Sequence, residues 1–134
     1  MTWNSLGRHR YQSEGRLVRV TSGGSWSAEE VRELIALLER EQQREPGLGM
    51  LLDVAAGISV GPDSRRALAE RADKRGATVP VAVIGASLPI RAVLTMIIRT
   101  VQLLGGPAAP VAFFSSDDEA IVWLAQYALA GSGK

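Results

Sequence analysis

Cysteine is missing from this chain altogether, and histidine occurs once, as His9. The first absence excludes a disulfide framework and a thiolate metal site. The second leaves a hydrolytic triad a single imidazole around which a nucleophile and an orienting carboxylate would have to gather. His9 falls on the sparsely marked first arm of a hairpin, where a surface position is expected, so no enzyme is read here. Charge of one sign is also missing, since 15 basic residues face 14 acidic ones for a net charge of +1. That balance favours neither nucleic acid nor a membrane surface as a partner. A long hydrophobic run is absent too: the most apolar stretch, Ile90–Leu104, is broken by Arg91, Arg99 and Gln102, which excludes a membrane span. The opening MTWNSLGRHR lacks the apolar core of a signal peptide, and a cytoplasmic location is expected. Neither Gly-x-Gly-x-x-Gly nor a phosphate loop occurs, and the set of metal-ligating residues is too thin for a site, so the expectation is no cofactor and no metal.

What is present suits one domain over residues 1–134, with 46% apolar and 22% charged residues and hence a sizeable core. Residues 1–7 read as a loose end. Arg8–Gln12 and Leu17–Thr21 flank a turn at Ser13–Arg16 and suggest a hairpin. Ser27 with Glu30 forms a capping box, and Trp26 is placed to staple against Val31. Val31, Leu34, Ile35 and Leu38 then repeat at helical spacing until Pro46-Gly47. Val79–Ile84 and Val111–Phe114 read as strands. Between them, Ile90, Val93, Leu94, Ile97, Ile98, Val101 and Leu104 form one stripe of a helix over 88–104, with Arg91, Thr95, Arg99 and Gln102 opposite. Ser116 and Glu119 cap a last helix, in which Trp123 is expected to pack against the body of the fold. The order predicts a single-domain α/β fold with a mixed, mostly parallel sheet of about five strands and four helices, the parallel strands joined by right-handed crossovers.

The chain is organised around Gly49–Glu70. An apolar strand ends at Asp53-Val54, a small-residue loop runs over Ala55–Gly61, and Pro62 starts a helix expected to run to residue 75. Sites in α/β sheets collect at such strand ends. Asp53 lacks the company of a complete phosphoacceptor site, since acidic neighbours for Mg²⁺ and a lysine after the last strand are both wanting. Its expected role is structural, accepting backbone N–H bonds from its own loop. Arg65 and Arg66 could grip an anion beside the helix N-terminus. Met96 and Leu103 lie off the third helix's stripe. That apolar surplus leaves open a partner surface, a homodimer, or a cavity for an apolar small molecule or lipid between the sheet and that helix.

The order of elements resembles the STAS domain, and within it the SpoIIAA-like group, whose fold is also compared with CRAL-TRIO lipid-binding domains. The likeness rests on Leu51-Leu52-Asp53-Val54, on Val81–Gly85, and on Phe113-Phe114 followed by Asp117–Leu124, and spans roughly residues 8–127. It implies a non-enzymatic regulatory domain that binds a protein partner through loop 55–61 and helix 62–75. The departure is informative. The family's Asp-Ser-Ser/Thr-Gly-Leu is matched here by Asp63-Ser64-Arg65-Arg66-Ala67-Leu68, with arginine where the kinase substrate should stand. The usual phosphoserine switch is therefore expected to be absent. Ser59, Asp63, Ser64, Arg65 and Arg66, with Arg91 at the head of the third helix, are the expected partner or ligand contacts; the alternative is the apolar ligand beneath helix 88–104.

Overall fold

The computed structural model describes residues 2–72, 79–103 and 110–132, without the side chains at positions 71, 72, 101 and 128–132. In chain order the elements are β1 (Asn4–Leu6), β2 (His9–Glu14), β3 (Leu17–Thr21), β4 (Gly24–Trp26), α1 (Ala28–Arg44), β5 (Gly49–Asp53), β6 (Ile58–Val60), α2 (Pro62–Ala72), β7 (Val81–Ile84), α3 (Leu88–Leu103), β8 (Val111–Phe114) and α4 (Asp117–Ser132). The main sheet has six strands, in the order β1-β2-β3-β5-β7-β8, rather than about five. β1–β2 and β2–β3 are antiparallel; β3–β5, β5–β7 and β7–β8 are parallel. The extra strand comes from the expected loose end, because Asn4–Leu6 pairs with His9–Tyr11.

The loop read over Ala55–Gly61 also needs correction. Ile58–Val60 is a strand, paired in parallel with Gly24–Trp26 in a second, two-stranded sheet. The sequence also offers Lys74-Arg75-Gly76 and Gly105-Gly106-Pro107 as stops for the second and third helices; these lie outside the described residues, as do the side chains of Ala72 and Ala128, expected to face inward, and of Val101 and Leu104 in the third helix's stripe.

Helix starts follow the expected chemistry. Ser27 Oγ accepts from the Glu30 N–H while Glu30 accepts from the Ser27 N–H, a complete capping box that satisfies two of the terminal donors. Trp26 and Val31 are both buried in the same core, as a staple requires. At α4 the Glu119 N–H reaches Ser116 Oγ and the Glu119 carboxylate takes the Ser115 and Ser116 hydroxyls.

Successive side chains of a strand point to opposite faces, and here they serve two cores. Val18, Val20, Met50, Leu52 and Val83 face α1, α2 and α3. Leu17, Leu51, Ala82, Ile84 and Phe114 face α4, with Ala120 and Leu124 above them. The parallel strands β3, β5, β7 and β8 advance in one direction across the sheet. Right-handed crossovers that advance one way put their helices on one face, so α1 packs on α2 and α2 on α3, and α4 alone lies against β5, β7 and β8 from the other side.

Candidate functional site

The residues expected at the contact surface separate into groups. Asp63 and Arg66 are exposed near the start of α2, and neither side chain makes a hydrogen bond or ion pair with a described residue. Ser59 is exposed on β6, its hydroxyl 3.1 Å from that of Ser25 on β4. Arg65 turns back on its own chain and donates from Nε to the Val60 carbonyl at 3.0 Å. Ser64 does not belong to an open surface: it is buried, and its hydroxyl donates to the Trp26 carbonyl at 2.7 Å. A phosphate on Ser64 would break that bond and bring charge into a buried position, which is unfavourable without a partner. Arg91 lies apart on α3, with its guanidinium 5.5 Å from the centre of the Phe113 ring and Nε directed at the Ala86 carbonyl.

Asp53 is placed as expected. Its Oδ1 accepts the Ala55 N–H at 2.9 Å, closing an Asx-type turn at the end of β5. Gly85 at the end of β7 has φ +76° and passes so close that an added Cβ would sit 2.9 Å from the Ala55 nitrogen and 3.0 Å from Asp53 Oδ1. Trp123 is half-buried and tilts against Phe114 and Tyr127, with ring centres 5.6 and 5.7 Å away.

The residue that joins these parts is Trp26. Its indole N–H donates to Ser22 Oγ at 3.1 Å, and the Ser22 hydroxyl in turn donates to the Gly57 carbonyl at 2.8 Å. Its carbonyl takes Ser64, and its ring is stacked on His9 with centroids 3.6 Å apart. His9 is therefore not a surface histidine; it is 1% exposed. Nδ1 accepts the Gly23 N–H at 2.7 Å, which assigns the ring proton of the neutral form to Nε2. Nε2 lies 3.4 Å from Glu30 Oε1 but makes no hydrogen bond there. Burial lowers the His9 pKa below its ordinary value against the pull of Glu30. Burial also works against the Glu30 charge, but the N–H groups of Ser27 and Arg8, with His9, outweigh it and hold this carboxyl at about 2. Gly23 has no room for a side chain, since a Cβ would fall 2.2 Å from the Arg8 carbonyl oxygen.

Between this assembly and the sheet lies a cavity of about 180 Å³. Its floor is Met50, Leu52, Val81, Val83 and Val111; its walls are Val31 and Leu34 of α1, Leu68 of α2, and Leu94, Ile97 and Ile98 of α3. Trp26, Ile58 and Val60 close it on the side of the two-stranded sheet. Every described lining residue is apolar apart from the indole N–H, which is engaged by Ser22. Leu94, Ile97 and Ile98 of the stripe expected on helix 88–104 thus form one wall, while Ile90 packs on the core without lining the cavity and Val93 is 39% exposed and stands outside it. Sequence reasoning does not find Trp26 as a site residue, its one local signal being the staple position, and it reaches Ile58 and Val60 only as part of the loop 55–61 expected to meet a partner. A larger trough of about 310 Å³ lies under α4 at the opposite strand ends, where Arg16 is the one charged group among the described residues and is paired with Glu45 at 3.8 Å. It gathers no set of polar groups. Among the described residues no cluster of three metal-ligating side chains occurs, and no helix is long and apolar enough to cross a membrane. The chain matches no family model and no curated protein.

Proposed function

We propose that this is a non-enzymatic regulatory domain that binds a compact apolar small molecule between the sheet and α3, and that the first turn of α2 presents the result to a protein partner. The observation that carries the reading is the 180 Å³ apolar cavity. A closed cavity of about 150 Å³ with such a lining stays dry and takes up benzene or xenon; this one is similar in size and lining but opens to solvent, which gives a guest a way in, and its apolar walls favour an apolar guest over water. The size suits a single ring or a short branched chain rather than a long acyl tail.

The link to a partner rests on β6 and α2. Ile58, Val60 and Leu68 line the cavity, while Ser59, Asp63 and Arg66 on the same elements face outward. Arg65 is tied to the Val60 carbonyl. A guest that moves Val60 therefore moves the charged start of α2, which already attracts anionic groups through its unpaired N–H donors. Arginine at position 65 replaces the hydroxyl that a STAS-type phosphoswitch would use, and a bound molecule takes over its role as signal.

Titration with toluene followed by methyl and amide NMR tests both parts. The expected result is saturable shifts at Leu52, Val83 and Leu94, with coupled shifts at Ser59, Asp63 and Arg66, and loss of both in Val83→Phe, which fills the cavity. Core methyl signals indifferent to toluene in the folded wild-type protein overturn the ligand reading. Core shifts without any response at α2 overturn the partner link alone.

A further inference from the structure

The sheet face that carries α4 is only partly covered, because that helix packs mainly on β5, β7 and β8, meets β3 through Leu17 and Arg19, and leaves Thr21 at the end of β3 half-exposed and Arg10 of β2 exposed. Pairing register places Arg10, Thr21, Asp53, Ile84 and Phe114 in one row across this face. Thr21, Asp53 and Ile84 are the last residues of β3, β5 and β7, the strand ends at which α/β domains hold ligands. A cavity of about 120 Å³ opens there. Thr21, Asp53, Leu51 and Ile84 form its floor, Trp3 stands on one side, and Asp117 at the start of α4 on the other.

The charges in this lining do not cancel. Arg19 and Asp117 pair with each other at 3.1 Å. Arg10 belongs to the same row but lies over the Trp3 ring, 5.6 Å from its centre, and does not line the cavity. Asp53 gives one oxygen to the Ala55 N–H and has no cationic partner among the described residues. One carboxylate is thus left over, beside an indole and an apolar floor. We propose that this groove is a second ligand site, on the face opposite the apolar cavity, and that it takes a small organic monocation: a primary ammonium carried on a short apolar body. The ammonium pairs with Asp53 and the Thr21 hydroxyl. The body lies on Leu51 and Ile84, against the edge of the groove formed by Trp3.

The test is an NMR and calorimetric titration with n-butylammonium, with n-butanol and butyrate as probes of the same shape and different charge. Butylammonium is expected to shift Thr21, Asp53 and the Trp3 indole, and the other two probes are not. Asp53→Asn should weaken binding about tenfold or more, as loss of a charge-assisted bond does. Trp3→Ala, at an exposed position, should weaken it without unfolding the protein. Asp117→Asn releases Arg19 toward the groove and should also weaken it. Equal binding of butanol or butyrate, shifts that map away from Thr21 and Asp53, or undiminished binding in both Trp3→Ala and Asp117→Asn each overturn the assignment, whether or not Asp53→Asn folds.

Discussion

Acidification through the ordinary histidine range should destabilise this protein before any carboxylate titrates, and His9 is the reason. In the folded state its ring is stacked on Trp26, its Nδ1 is occupied by the Gly23 N–H, and it is 1% exposed. A second proton must go to Nδ1, where the Gly23 donor now sits. Burial also disfavours the charged ring, and the folded pKa is lowered from 6.5. Below that value the unfolded chain binds more protons than the native one, so stability is full above about pH 6.5 and falls as the pH drops through it. The slope for one group is at most about 1.4 kcal/mol per pH unit, and the loss levels off once the native imidazole itself becomes charged. His9→Phe keeps the stack and removes the titration. It also leaves the Gly23 N–H without its acceptor, which costs about 1–3 kcal/mol at neutral pH. The assay is urea unfolding at a series of pH values, together with the imidazole proton resonances, which are unambiguous because the chain has a single histidine. A flat wild-type profile between pH 7.5 and 5.5, an imidazole that titrates above 6.5, or an unchanged slope in His9→Phe refutes the reasoning.

Glu30 governs a lower window: its folded pKa of about 2 lies below the ordinary 4.5, so its contribution is present above pH 4.5 and disappears as the pH falls toward 2. Glu30→Gln should remove that segment of the acid profile and cost about 1–2 kcal/mol at pH 7 through the weakened capping box, read by denaturant unfolding. Ser64→Ala should cost about 1–2 kcal/mol by leaving the Trp26 carbonyl unpaired; Ser64→Asp should lower the thermal midpoint further instead of acting as a phosphate mimic. Trp123→Ala should cost about 2–3 kcal/mol, less than a fully buried tryptophan, because its ring is half-buried and leans on Phe114 and Tyr127; calorimetry measures it.

The parts of the fold legible in the sequence are those whose signal is local. Leu17–Thr21 is a strand with the expected bounds, the Ser27–Glu30 box opens α1, and Asp53 closes its own turn. β4 and β6 are not legible, for a physical reason. Each is three residues long beside glycines, and each is a strand only because the other lies alongside, 34 positions away in the case of Ser25 and Ser59. The burial of His9 is hidden because it comes from Trp26, an aromatic residue on another strand, and the segment HRYQSE around it has no run of apolar neighbours. Ser64 stands at a motif position that suggests exposure; its burial follows from facing Trp26, which no local pattern reports.

The two proposed sites have one origin in the way the chain winds. Crossovers that all run one way stack three helices on one face and leave the other to α4. On the crowded face the middle helix is the thin one. Among the described side chains of α2, the buried ones are Ala67, Ala69 and Ser64, and Leu68 is the one on the cavity. α2 thus gives the lining one side chain where α1 gives Val31 and Leu34 and α3 gives Leu94, Ile97 and Ile98, and protein interiors elsewhere are close-packed, so the unfilled volume collects where α2 contributes least. On the sparse face the shortage is of helices rather than of side-chain volume. Strand β3 therefore keeps Arg19 and Thr21 at its surface where a covering helix would have demanded apolar residues. An apolar void and a polar groove thus arise on opposite faces of the same strands, and Leu52 beside Asp53 at the end of β5 belongs to one of each.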